Sequence, residues 1–372
     1  MEPEPTPEQW YAWGNSPELS RSWPSPHADI DVNTAGLRKV GDAIMLEVEG
    51  AHPYEQVGNR SLLDYWEELD GIFLNQETRV PWGALSTFTM AVMRYSLYGF
   101  PETGGISKFV RAEILDTLES YSNFGNMIFA TSANYAMADS VFDENISELR
   151  YAINGAGVRH ETWEKKDIFQ QEDNISDYDA PTIKNMLDSV DVKTMRDMSG
   201  VCTDLAAWLA NLQSLVEQHA KQLAGVWQGE PAELALDAFR KVHATARVLA
   251  HSIGTTGNTI AWLAGVIDQY RLDFESVVKM GDRGIDDDLQ DRLLPWESGA
   301  HDRARDYLRE LNQQLKIAFD MLPAEIEIIL PDVSVSDAKY AYKKDGLKDG
   351  SDYWDSMILR TGHPHSGSDP AS

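Results

Sequence analysis

Between Phe239 and Val277 the apolar residues Phe239, Val242, Ala246, Leu249, Ile253, Ile260, Leu263, Ile267, Phe274 and Val277, together with Thr256 and Tyr270, recur at alternating intervals of three and four. An α-helix keeps such a set on one face, and no Pro interrupts it. Gly254 and Gly257 fall inside the run. Each costs about 1 kcal/mol in a helix interior, whereas burying a Leu or Ile contributes about 1.5 to 3 kcal/mol, so one continuous helix is expected.

A second stripe precedes it: Leu205, Leu209, Leu212, Val216, His219, Leu223 and Val226, ending at Trp227-Gln228-Gly229-Glu230-Pro231. Pro fits the first turn of the helix that follows, so the two stripes form a hairpin. The first half of the chain repeats the plan. Helical spacing runs from Ser61 to about Phe73 and from Trp82 to Tyr98, Gly99 to Gly105 forms a turn, and Ile114, Leu118, Tyr121, Gly125, Ile128, Ser132, Tyr135 and Asp139 open a helix expected to reach Leu149, about forty residues in all. Two hairpins that each expose an apolar seam bury both by packing together, which predicts an all-α protein built on a four-helix bundle.

The expected boundaries follow from composition. Residues 1–58 are rich in Pro, Gly and His and read as an irregular acidic arm, with strand character only at Ala43–Glu49. Residues 59–154 form the first hairpin, 155–181 a polar linker and 182–282 the second hairpin. Residues 283–345 read as a C-terminal extension with a helix around Asp302–Leu322 and a strand at Ile326–Leu330, and 346–372 as a tail.

Charge narrows the partners. With 60 Asp and Glu against 32 Lys and Arg, the formal net charge of -28 repels phosphate backbones and anionic lipid surfaces. The most apolar windows, such as Ile260–Ile267, are far shorter than the roughly 20 residues a bilayer crossing needs, and the acidic, Pro-rich start is unlike a signal peptide. Neither nucleic acid nor an integral membrane segment is expected. The single cysteine, Cys202, pairs with nothing in the chain and reads as a structural thiol.

No motif for catalysis stands out: there is no phosphate-binding Gly loop, no Gly-x-Ser-x-Gly and no His-Glu-x-x-His. His219, His243 and His251 read as core or surface histidines, His363 and His365 as tail residues, and Asp282–Asp291 as a solvated acidic loop without the spacing of a calcium site. No metal, no cofactor and no enzymatic activity are expected.

Two motifs carry the functional expectation. Trp227-Gln228-Gly229 sits between two heptad helices, and Tyr135-Ala-Met-Ala-Asp139 lies late in the long helix of the first hairpin, where a spacing of four puts phenol and carboxylate on one helix face. The chain therefore resembles the Trp-x-Gly (WxG, ESX-like) family of type VII secretion substrates, over about residues 190–280 for the Trp-x-Gly hairpin and at Tyr135 and Asp139 for the Tyr-x-x-x-Asp/Glu export motif. The first turn carries Tyr98-Gly99 in place of Trp-x-Gly, and Tyr270 is followed four residues later by Phe274 instead of an acid, so these are secondary candidates.

Each half thus holds the element the other lacks, as in a family heterodimer written into one chain. The resemblance implies that Trp227, Gly229, Tyr135 and Asp139 form a composite address. Its reader would be the type VII machinery with its FtsK-like ATPase, with a further helical-hairpin protein as a second partner. The protein would be made in the cytoplasm and exported without a Sec signal. The rivals are a cytoplasmic helical scaffold or chaperone, whose acidic surface suits a basic client, and, more remotely, an enzyme with an unrecognised site in residues 285–345.

Overall fold

The computed structural model describes residues 32–50, 56–57, 60–61, 82–92, 105–139, 153–165, 169, 175–279 and 299–335. Tyr98, Gly99, Asp282–Asp291, His363 and His365 lie outside them. The described elements are α1 (Thr34–Gly50), the two-residue strands β1 (Gln56–Val57) and β2 (Arg60–Ser61), α2 (Gly83–Val92), α3 (Ile106–Asp139) and β3 (Ile153–Glu164). A 3₁₀ turn (Ile175–Asp177), α4 (Ala180–Ser189), α5 (Val192–Ala224), α6 (Glu230–Lys279), α7 (Gly299–Met321) and β4 (Glu325–Val335) complete the order. The described protein is mostly helical, as an all-α class expects, and carries one long two-stranded ribbon besides.

The α5–α6 hairpin is the largest helix pairing. Asp179 caps α4 by accepting from the Thr182 amide at 2.8 Å, and Asp191 caps α5 by accepting from the Thr194 amide at 3.0 Å, which satisfies amide groups that a helix start leaves open. Helix α6 runs unbroken through both glycines. A Cβ at Gly257 would lie 2.7 Å from Cys202 Cβ, so the missing side chain there lets α5 and α6 approach, whereas one at Gly254 would make an ordinary contact 3.5 Å from Ala206 Cβ. The stripe residues Leu205, Leu209, Leu212, Val216 and Leu223 of α5 face Leu249, Ile253, Ile260 and Leu263 of α6 within one buried core.

The first hairpin departs from expectation. Residues 34–50, read from sequence as part of an irregular arm with a strand at Ala43–Glu49, form a helix whose Leu37, Val40, Ile44 and Val48 are buried at spacings of three and four. Among the described elements helix α1, and not α2, is the main partner of α3; the rest of the expected Trp82–Tyr98 helix, beyond Val92, lies outside the described residues. Glycines again mark the crossing: a Cβ at Gly125 would meet Ile44 Cγ2 at 2.8 Å, and one at Gly41 the Gly125 carbonyl oxygen at 2.9 Å. Helix α3 is described as far as Asp139; the expected continuation to Leu149 lies outside the described residues.

Helix α2 instead belongs to the C-terminal extension. Its neighbour Trp82, fully buried, donates its indole N–H to Asn312 Oδ1 of α7 at 2.8 Å. Helix α7 also packs on α6 and α4. Lys165 Nζ closes its C-terminal end, donating to the carbonyls of Phe319 at 2.7 Å and Leu322 at 2.9 Å.

The expected linker 155–181 is also corrected, because its first part is strand β3, paired antiparallel with β4 from Gly157↔Asp332 to Glu164↔Glu325. Period-two signals in Val158-Arg-His-Glu-Thr-Trp163 are weak, since only one face is buried and Trp163 is its one large apolar residue. The ribbon lies across α3 and α6 through β4. Thr245 of α6 donates to the Ile329 carbonyl at 2.7 Å and accepts from the Ile329 amide at 3.3 Å, while Ser120 of α3 donates to the Pro331 carbonyl at 2.6 Å.

Candidate functional site

The turn between α5 and α6 is built by its own residues. The amides of Val226 and Trp227 both donate to the Leu223 carbonyl, at 3.0 and 2.9 Å, closing α5. Gly229 then takes φ 104°, a conformation L side chains rarely adopt, and its carbonyl accepts from the amides of Ala232 and Glu233 at 3.0 and 3.1 Å, opening α6. The glycine of Trp-x-Gly is thus required by the backbone.

The bend turns Trp227 inward, leaving it only 3% exposed. Its ring meets that of Tyr135, late in α3, edge to face with centroids 6.2 Å apart and planes at 75°, a favoured geometry for two aromatic quadrupoles. Tyr135 is half-buried at the margin of the core. Asp139 lies one turn further along the same helix, the last residue of α3. Trp227, Gly229 and Tyr135 are therefore brought to one end of the helix assembly.

A third segment completes this end. Val32 forms a β-bridge with Trp227, and the Asn33 amide donates to the Val226 carbonyl at 2.8 Å. Asn33 also caps α1, its Oδ1 accepting from the Gly36 amide at 2.9 Å. Gly36 is pressed against the turn, since a Cβ there would lie 2.6 Å from Val226 Cγ1. Sequence reading missed this contact; the Asn33 cap was the local signal for it. Among the described residues the Trp227 indole nitrogen has no hydrogen-bond partner although it is buried.

Tyr270 is not brought to this end. It stacks on Tyr307 of α7 with centroids 4.5 Å apart, and burial, then the Glu310 carboxylate, raises its pKa.

Of the other candidate groups His251 is exposed, while His219, His243 and Cys202 are held within the fold. His219 is buried on α5, its Nδ1 2.7 Å from the Tyr121 hydroxyl, and burial lowers its pKa. His243 lies 3.0 Å from Gln213 Nε2, and burial takes it down to about 4. Burial pushes the Cys202 thiol up to about 12, far from a thiolate nucleophile. Among the described residues no group of three His, Cys, Asp or Glu is arranged to hold a metal ion, and no helix is long and apolar enough to cross a membrane.

One charged cluster was not anticipated. Arg159 of β3 reaches Asp116 at 2.7 Å, Glu113 at 3.1 Å and Glu161 at 3.7 Å. Burial pushes Glu113 up to about 7 even though Arg159 lies against it. Three carboxylates share one guanidinium, so the cluster keeps surplus negative charge.

No protein-family model matches the chain, and no curated protein matches its sequence.

Proposed function

We propose that this protein is a non-enzymatic substrate, or substrate-like adaptor, of a type VII secretion system, recognised through the end of the helix assembly that carries Trp227, Gly229, Tyr135 and Asp139. The observation that supports this reading is the edge-to-face contact of Trp227 with Tyr135, which joins a Trp-x-Gly turn and a Tyr-x-x-x-Asp helix end within one chain. Contacts of α1 with α5 and of α3 with α6 fit a four-helix bundle in which the α1–α3 pair takes the place of a second hairpin protein.

In this reading the burial of Trp227 assigns it an organising role. The indole fixes the turn against α3, and the reader contacts the backbone of Gln228–Gly229 and the helix face that carries Asp139. Recognition then depends on shape held in place by packing, with no bond made or broken.

The test is export from the native host of wild type, Trp227→Ala and Tyr135→Ala, with circular dichroism to check folding. Tyr121→Ala, which truncates a core aromatic elsewhere on α3, controls for lost stability alone. Retention of both folded address variants while wild type and the control leave the cell supports the proposal. A wild type that never leaves hands the reading to the cytoplasmic scaffold.

A further inference from the structure

The β3–β4 ribbon has two edges, and they are treated differently. The Lys165 amide donates to the Ala324 carbonyl at 2.8 Å, in register with the ladder, which makes Lys165 and, two by two, Trp163, Glu161 and Arg159 the residues whose backbone groups face β4. Ile329 gives the same phase from the other strand, because its amide and carbonyl both turn outward to Thr245. The outer edge of β4 is thereby covered by α6 and α3, and the amide that Pro331 lacks falls on this outward side, where no ladder bond is lost.

By the same alternation, Val158, His160, Thr162 and Glu164 direct their N–H and C=O groups away from β4. Among the described residues nothing hydrogen-bonds to those groups, and all four residues are exposed, Val158 at 43%. Edge strands are commonly blunted by Pro, by a bulge or by a covering element. Here the pairing is regular from Gly157 to Glu164, the irregularity lies outside that stretch between Asn154 and Gly157, and the stretch contains no Pro.

We infer that the β3 edge from Val158 to Glu164 is a docking site for an extended, basic polypeptide segment, which adds to the ribbon as a third strand. Charge selects the occupant. On the side of the ribbon facing α3, Glu113, Asp116 and Glu161 surround the one guanidinium of Arg159, and Glu164 ends the strand. A neighbouring strand bearing Lys or Arg at alternate positions would place its cations beside Glu161 and Asp116, while its backbone supplies the missing hydrogen bonds. A second copy of this chain is the poorer fit, because it brings the same carboxylate surplus and its own net charge of -28. The inference does not depend on the export proposal, since the edge belongs to a different part of the fold.

The test uses the full chain and a synthetic peptide of alternating Lys and Val, about eight residues long to match an ordinary strand. At ordinary salt, binding is followed by fluorescence anisotropy, and hydrogen exchange is read at individual amides. The expected result is slowing by about tenfold or more at the Val158, His160 and Thr162 amides. Arg159 and Glu161, already bonded to β4, stay unchanged. The same peptide N-methylated at alternate positions, which keeps the charge and removes the edge bonds, and a Glu-Val peptide should both fail. His160→Pro, which removes an outward N–H and no ladder bond, should abolish binding by the Lys-Val peptide. The inference is overturned if the N-methylated peptide binds as well as the parent, or if the Lys-Val peptide binds without protecting those three amides. It is equally overturned if the amides become protected without peptide as protein concentration rises, which would make the edge a contact between copies.

Discussion

The Tyr121 hydroxyl lies 2.7 Å from His219 Nδ1, joining α3 to α5 by a buried polar contact. Both residues occupy positions that heptad spacing marks as core, and each satisfies the polar atom of the other. Tyr121→Phe leaves the imidazole nitrogen buried without that partner. The expected cost is about 1 to 3 kcal/mol, read as a lower urea midpoint with an unchanged slope.

The histidines give the protein a pH dependence of definite sign. Burial holds His243 at about 4 in the folded state, below the ordinary value of 6.5, so the unfolded chain binds the extra proton. Its contribution is fully present above pH 6.5 and is lost as pH falls toward 4, at about 1.4 kcal/mol per unit. His243→Gln should reduce the loss of stability between pH 7.5 and 5 by about 2 kcal/mol, measured by urea unfolding at the two pH values.

Glu113 has the opposite sign. Its folded value of about 7 lies above the ordinary 4.5, so the folded state holds the proton more tightly. Its stabilising contribution is present below pH 4.5 and lost as pH rises to 7. Glu113→Gln removes that loss, so the variant should gain about 2 kcal/mol more than wild type on going from pH 5 to 7.5. An identical pH profile in the two proteins would show that Arg159 keeps Glu113 ionised throughout.

Gly257 and Gly265 lie on the same helix and should respond in opposite directions. A Cβ at Gly257 meets Cys202 Cβ at 2.7 Å and the Ser199 carbonyl at 3.2 Å, whereas one at Gly265 meets nothing within 4 Å. Gly257→Ala is expected to destabilise by about 1 to 3 kcal/mol through overpacking. Gly265→Ala should stabilise by about 0.5 to 1 kcal/mol through helix propensity. Thermal midpoints of the two variants against wild type decide it.

Gly229→Ala places a side chain at φ 104° and is expected to cost about 1 to 3 kcal/mol. Hydrogen exchange should show the loss locally, as faster exchange of the Ala232 and Glu233 amides that donate to the Gly229 carbonyl. Unchanged protection there would mean that the turn can be closed by another backbone path.

Much of the helical plan was legible because it is local and periodic. The stripe from Phe239 to Val277 outweighs Gly254 and Gly257, the helix α6 is continuous, and the turn at Trp227–Gly229 follows from a glycine between two amphipathic runs. The third segment at the candidate site was harder to see. Trp227 and Tyr135 could be named from their motifs, but the Val32–Asn33 segment that seals their end was hidden in a stretch whose Pro and Gly content suggested irregular chain.

What the sequence determined alone is the set of seams: which face of α3, α5 and α6 is apolar, where α5 turns into α6, and that no conspicuous catalytic motif is present. Only the tertiary structure decided that α1 and not α2 is the main described partner of α3, that Trp82 reaches Asn312 instead, and that residues 153–164 join β4 with the outward groups of Val158, His160, Thr162 and Glu164 unbonded among the described residues. The physical reason is that an apolar face states a need for burial without naming its partner. The choice among partners is made by close approach at Gly41, Gly125 and Gly257 and by buried hydrogen bonds between residues far apart in the chain, neither of which leaves a period in the sequence.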